Sequence, residues 1–338
     1  MCTTYAINGS RLFGQNYDFY FGHGYVVLNP SGINKFTLLD PMQKTLRWTS
    51  RYASLTFNQF GCEFPIGGMN EKGLVVAMMF DEDGDFPPKP LSSGLNELQW
   101  IQYQLDNFGS IEEVYANVES TLPFAQFMPL HYSLADSTGR SLVMECVEGR
   151  PVIHQYQTYH VLTNTNHKKT IQAAQLPFIQ PIASERDISV ARYRLLAQAL
   201  SSINDKVTVQ QAFHLLDKVA FTNQSDNIGY QWMTQQDTEN SYTYWSIVYD
   251  LEQLTIYLKT RDKPELKVLS LQSIVDRYRN RQMLDINTSA TGDLTDKFSP
   301  FNLAWNQKMV EQSYLSVASD LTPEIINRIS RYPMSFAA

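Results

Sequence analysis

The sequence predicts an α+β layered sandwich, and three observations predict it. Blocks of short strands alternate with blocks of helices, the strands within a block are joined by turns too short for a parallel crossover, and no Gly-rich phosphate loop opens any helix. A doubly wound parallel sheet would need a long crossover between neighbouring strands.

The first strand block fills most of the first eighty residues. "TTYAI", "RLFGQNYDF", "YVVLN", "LRWTS", "ASLTF" and "GLVVAMMF" are short, aromatic and β-branched, with Gly, Asn and Pro between them. Asn70 and Glu71 read as turn-formers there, with Gly73 supplying backbone freedom. Helices follow. In "LNELQWIQYQLDNF", Leu98, Ile101, Leu105 and Phe108 recur at spacings of three and four, and "SIEEVYANVEST" continues in kind. A second strand block holds "HYSLAD", "SLVMECV", "PVIHQY" and "YHVLTN", the middle two joined as a hairpin at Gly149. Val190, Tyr193, Ala197 and Leu200 mark the next helical face, "VQQAFHLLDKV" another, and "YTYWSIVYD" and "LTIYLKT" are the last strands. The polar, turn-rich stretch "DINTSATGDLTDKFSP" reads as a connector, so one domain over 1–284 and a connector with a helical tail packed on it over 285–338 are expected.

Composition narrows the function. The 338 residues carry 27 basic and 34 acidic side chains, a formal net charge of -7, with no basic cluster that could track phosphates, which argues against nucleic acid as a partner. The three cysteines, Cys2, Cys62 and Cys146, are scattered and fit neither a disulfide framework nor a zinc pattern. The six histidines likewise stand apart without metal-type spacing, and His131 reads as a packed core imidazole. No stretch approaches the length of a membrane span, so a soluble cytoplasmic protein with no membrane partner is expected; a homo-oligomer is left open.

A cysteine directly after the initiator methionine raises a specific chemical prospect. Removal of Met1 would leave one residue carrying both a thiol and a free α-amine, with ordinary pKa values near ~8.5 and ~7.7–8.0, so the amine could act as base for the thiol. On position alone, Cys2 reads as well as a small packed residue.

Cys2, "FGQNYDF" from Phe13, "GGMNEKGLVV", "PLHYSLADSTGRSLVMEC", "VLTN" and "SVARYRLL", in this order, resemble the choloylglycine hydrolase and penicillin V acylase family of linear-amide hydrolases. The resemblance runs from residue 2 to "YWSIVYD". It implies an N-terminal nucleophile fold, a four-layer αββα sandwich of two antiparallel sheets between helices. It also implies hydrolysis of a small-molecule N-acyl amide through an acyl-enzyme on Cys2, with no cofactor and no metal.

The resemblance assigns roles to individual residues. Asp18 would hold the α-amino group, and Asn164 would aim its side-chain amide at the oxyanion. The main-chain N–H of Phe80 would be the second oxyanion donor. Arg192 would favour the thiolate, with Arg186 and Arg194 as competing candidates. Gln15 departs from the arginine that many relatives carry, which is expected to remove a positive charge from the rim. Tyr20, Phe21, Tyr25, Phe60, Met78, Met79 and Trp245 are candidates for an apolar acyl pocket, Phe21, Phe60 and Met79 foremost, though each reads equally as core. An acyltransferase on the same scaffold, or a non-catalytic thiol protein, are the alternatives.

Overall fold

The computed structural model describes residues 1–38, 46–87, 94–177, 182, 184–222, 241–317 and 321–336. Among them, two large sheets carry the architecture. The first runs Tyr159–Leu162, Cys2–Ile7, Leu12–Phe19, Tyr242–Asp250, Thr255–Thr260, Lys267–Ser270 and Gly292–Asp293, antiparallel except for its last pair. The second runs Arg150–Tyr156, Ser141–Val147, Leu130–Ala135, Val75–Phe80, Pro65–Asn70, Ser54–Asn58, Tyr25–Asn29, Gln282–Asp285 and Ser299–Pro300, antiparallel throughout.

Alternating side chains explain the layers. Phe13 and Tyr17 of one strand, with Ile247 and Tyr249 of its neighbour, join Leu55, Phe57, Ala77 and Met79 of the other sheet in one buried core. Residues of opposite parity on the first sheet, Leu12 and Val248 with Tyr5 and Ile7, pack outward against Leu196 and Leu200 of the helix Glu185–Ser201 and Phe213 and Leu216 of the helix Val209–Asp217. The helix Gln99–Asn107 covers the outer face of the second sheet with Trp100, Ile101 and Leu105. The order is therefore helix, sheet, sheet, helix. Caps start the helices where the sequence supplies them: Ser184 accepts from Asp187 N–H, and Thr208 forms a capping box with Gln211.

The expected hairpin is present: Val147 and Arg150 face each other across Glu148 and Gly149, both at positive φ, the geometry of a type I′ turn. Asn70 does more than turn the chain. Its side-chain amide also donates to Leu105 O and Phe108 O at 2.8 and 2.7 Å, tying the helix Gln99–Asn107 to the strand end. The segment read as a connector enters both sheets, since Gly292–Asp293 pairs with Lys267–Ser270 and Ser299–Pro300 with Gln282–Asp285. Beyond it, the helices Leu303–Val317 and Pro323–Arg331 place Val310, Tyr314, Ile326 and Ile329 in the same core as Phe57 and Phe64.

Candidate active site

Cys2 opens a strand paired on both sides, and it stands opposite Tyr17. Its side chain belongs to the inter-sheet core and is 5% exposed. By alternation Thr3 points the other way, toward the helix layer, and so does Asp18, which follows the inward-facing Tyr17. Arg192 reaches this outer side from the helix Glu185–Ser201. Completely buried, it donates from Nη1 to Cys2 O at 2.9 Å, to Thr3 Oγ1 at 2.5 Å and to Asp18 Oδ2 at 3.4 Å, and from Nη2 to Asn164 Oδ1 at 3.0 Å. Arg186 instead pairs with the exposed side of Asp83, and Arg194 donates to Ala173 O and Leu176 O at the end of a neighbouring helix. Of the three arginines, Arg192 is the one brought to Cys2.

Asp18 owes its partner to a bulge. The strand Tyr242–Asp250 shifts register between Thr243 and Trp245, so Trp245 stays opposite Tyr17 while Thr243 stands opposite Asp18. Thr243 has the same parity as the inward-facing Trp245, Ile247 and Tyr249; the extra residue turns it outward. Its hydroxyl donates to Asp18 Oδ1 at 2.5 Å and accepts Phe221 N–H at 2.7 Å. The sequence reading missed Thr243, and the break in period-two patterning at "YTYW" was the available signal.

The amino group of Met1 donates to Asp18 O at 3.0 Å, the main-chain N–H of Cys2 donates to Asn164 Oδ1 at 2.6 Å, and the Cys2 sulfur lies 3.8 Å from Asp18 O. Burial raises the Cys2 thiol pKa above its usual value, opposed by the chain's amino group and by Arg192, and reinforced by Asp18. Burial also raises the Asp18 carboxyl, against the pull of Arg192, the amino group and Thr243. The other two cysteines are buried elsewhere, each with its thiol pushed up to about 12 chiefly by burial.

Asn164 follows the strand Tyr159–Leu162 and its amide orientation is fixed. Oδ1 takes two donors, from Cys2 and Arg192, while Nδ2 gives one of its two hydrogens to Phe80 O at 3.0 Å. Phe80 ends the strand Val75–Phe80. Asp81 N–H bonds to Pro129 O, so the Phe80–Leu130 pair is of the non-hydrogen-bonded kind and the Phe80 N–H and C=O both point away from that strand. They point to the side where Asn164 sits.

The pocket candidates separate. Met79 faces the inter-sheet space, accepting from Thr4 Oγ1 at 3.7 Å, whereas Met78 faces the other side and lines a small apolar cleft with Phe60, Leu98, Phe127, Met128 and Tyr314. Phe21 is half-buried and stacks on His23. An aromatic row connects the strand beside Cys2 to the cleft: Tyr17 to Phe19 at 5.6 Å, Phe19 to Phe60 at 6.1 Å and Phe60 to Tyr314 at 5.5 Å between ring centres. Gln15 is not on a rim; it is wholly buried between the sheets, where its Oε1 accepts from Tyr249 O–H at 3.2 Å.

The histidines do not stand apart once folded. His131 lies with its Nδ1 at 3.7 Å from both Asp81 Oδ2 and Glu145 Oε1, all three residues buried, and His154 Nε2 is 3.0 Å from Glu145 Oε2. Asp81, His131 and Glu145 form the one group among the described residues whose ligand atoms are close enough together to suit a metal ion. Sequence spacing hid it because the three residues come from three adjacent strands or their ends. No helix among the described residues is long and apolar enough to cross a membrane.

Two antiparallel sheets between helices, with a buried cysteine opening a central strand, define the fold of the N-terminal nucleophile hydrolases. Residues 2–176 match the linear amide C–N hydrolases, choloylglycine hydrolase family, and the chain belongs to that family. Penicillin V acylase from Pectobacterium atrosepticum is 32% identical over 139 residues, 36% of this chain and 37% of that protein, so the match spans little more than a third of the relative's length. Among solved structures, penicillin V acylase from Agrobacterium tumefaciens superposes with a TM-score of 0.71 at 20% identity over 89% of this chain and 98% of that one. An arginine-to-leucine variant of conjugated bile acid hydrolase from Clostridium perfringens gives 0.67 at 18% identity over 86% and 98%. At these identities the likeness establishes the shared fold.

Proposed function

We propose that the protein is a cysteine amidase that hydrolyses a small N-acyl amide through Cys2, exposed as the first residue when Met1 is removed. The observation that supports this most is the convergence on Cys2 of a buried Arg192–Asp18 ion pair and the Asn164 side chain, all bonded to the main chain or side chain of residues 1–3.

The chemistry follows from these groups. A thiol held neutral by burial needs a local base, and the freed Cys2 amine supplies it, held in place by Asn164 Oδ1 on its nitrogen. The thiolate sulfur attacks the amide carbon, and the carbonyl oxygen becomes an oxyanion. The remaining hydrogen of Asn164 Nδ2 and the Phe80 N–H are the donors for it. The proton held by the Cys2 ammonium passes to the leaving nitrogen as the C–N bond breaks, leaving a thioester. Water, deprotonated by the same amine, then attacks the thioester and releases the acid. Arg192 and Thr243 offset part of the cost of burying the Asp18 carboxylate, whose main-chain oxygen meets the chain's amino group. The aromatic row from Tyr17 through Phe19 and Phe60 favours an apolar acyl group, with Phe21 and Met79 completing its surroundings.

Intact mass of the purified protein, before and after mixing with a panel of N-acyl amides, tests this. Loss of Met1 and a single acyl adduct absent from Cys2→Ala are expected. A fully active protein that keeps Met1 would overturn the assignment.

A further inference from the structure

Three buried side chains from neighbouring strands face one another near the end of the strand Val75–Phe80. Asp81 directly follows that strand, His131 sits across the ladder from Met79, and Glu145 lies on the strand Ser141–Val147. All three are at most 1% exposed. His131 Nδ1 stands 3.7 Å from Asp81 Oδ2 and 3.7 Å from Glu145 Oε1, too far for a hydrogen bond to either.

Among the described residues, Asp81 Oδ2 and both ring nitrogens of His131 have no hydrogen-bond partner. Orphaned buried polar atoms are costly and uncommon, and here two of them face each other. The neighbouring oxygens are engaged: Asp81 Oδ1 accepts from Asp83 N–H at 3.2 Å, and Glu145 Oε2 lies 3.0 Å from His154 Nε2. Glu145 Oε1 accepts the His167 N–H at 2.5 Å and keeps a lone pair for a further partner. A proton on Nδ1 can point at only one of the two carboxylate oxygens at a time. A dication meets both, cancels both negative charges and leaves the imidazole neutral.

The spacing suits a small ion. Two donors 3.7 Å apart subtend roughly 120–135° at an ion ~2.0–2.1 Å from each. The three ligand atoms all lie within 4.8 Å of one another, so small inward rotations of the side chains close them around it. One imidazole nitrogen with two carboxylate oxygens suits Zn²⁺ better than Ca²⁺ or Mg²⁺, which take oxygen ligands and more of them. The bonds from Asp83 N–H and His167 N–H hold the two carboxylates from outside, as partners of ligating groups do.

We propose that Asp81 Oδ2, His131 Nδ1 and Glu145 Oε1 bind one transition-metal dication of the Zn²⁺ type, a structural ion that pins three adjacent strands or their ends together. This departs from the sequence-based expectation of no metal. It does not depend on Cys2 being the nucleophile, and no step of the amide chemistry passes through the ion.

The test uses the whole chain, untagged, in a Cys2→Ala background so that the thiol and amine of residue 2 cannot chelate. The protein is stripped with dipicolinate, dialysed against Zn²⁺, passed through gel filtration and analysed for bound metal, and X-ray absorption reads the donor atoms. One ion per chain with only nitrogen and oxygen donors, at ~2.0–2.2 Å, is expected. Asp81→Asn and Glu145→Gln, which keep the side-chain shape, should each weaken binding more than ~100-fold, beyond the ~10–100-fold typical of losing a partner outside the coordination sphere. Zn²⁺ should raise the melting temperature of the parent and of neither variant. Absence of a stoichiometric ion, sulfur among the donors, a preference for Ca²⁺ or Mg²⁺, or variants that bind like the parent would each overturn the proposal. The donor atoms are read on the parent protein, so that arm holds whether or not the variants fold.

Discussion

The Arg192 guanidinium and the Cys2 main-chain N–H converge on one atom, Asn164 Oδ1, at 3.0 and 2.6 Å. Two donors on the oxygen leave the Asn164 amide only one orientation, with Nδ2 toward Phe80 O. A helix residue, a strand opening and a strand end are thereby set in mutual register.

Asn164→Ala is expected to lower kcat by ~10²–10³, about 3–4 kcal/mol, if its amide serves the oxyanion. Iodoacetamide labelling of Cys2 should change far less. Loss of labelling in step with kcat would mean that Asn164 acts by holding the Cys2 amine rather than through the oxyanion.

The Cys2 thiol pKa is pushed up by burial, raised further by Asp18 and lowered by Arg192, so the two charges should move it in opposite directions. Asp18→Asn is expected to shift the labelling midpoint down. Arg192→Ala should shift it up, while also leaving Asp18 buried without its cation at a cost of about 3–5 kcal/mol. Arg192→Lys keeps the charge and separates the effects. Midpoints that do not move would remove both residues from the thiol's electrostatics.

Thr243→Val keeps the shape and removes the hydroxyl that bridges Phe221 N–H and Asp18 Oδ1. A loss of about 1–3 kcal/mol in unfolding free energy is expected. Asp18 should become easier to protonate, since Thr243 now pulls its pKa down, and the acid limb of the rate profile should move to higher pH. An unchanged acid limb would show that Asp18 does not titrate in turnover.

His131 and Glu145 give the stability a pH signature. His131 is raised, so its contribution is full below its unfolded pKa of ~6.5 and fades as pH rises through the folded value; Glu145 is lowered, because the nearby His131 and its bonds to His154 and His167 N–H outweigh burial, so its contribution is full above ~4.3 and fades in acid. Asp81, raised by burial, works against both above its own unfolded pKa. The stability gap between wild type and His131→Gln should therefore be widest between about pH 4.3 and 6.5 and narrow above it. Chemical denaturation of the chelator-stripped protein at pH 5.5, 7 and 9 measures this, and a gap constant across that range would show that the His131 pKa does not change on unfolding.

Much of the fold was legible because alternation and helical spacing are local. The strands "FGQNYDF" and "YTYWSIVYD" and the helix around Val190–Leu200 appear where their patterns put them. Arg192, one position off the apolar face, turned out wholly buried because a carboxylate, a carbonyl and an amide oxygen await it. Gln15 was misplaced: its parity with Phe13 and Tyr17 puts it between the sheets, and reading it as a rim residue ignored that alternation. Thr243 and the Asp81–His131–Glu145 cluster stayed hidden for another reason. A bulge reverses the face of one, and strand order, which no local pattern encodes, assembles the other.

The segment around Gly292 and Ser299 stitches a common hem along one margin of both sheets. Sheets that share a hem and a core have no seam along which one could peel from the other. Amide exchange should accordingly reveal a single cooperative opening unit spanning both layers, with Lys267–Ser270 and Gln282–Asp285 losing protection together rather than as two independently fraying edges.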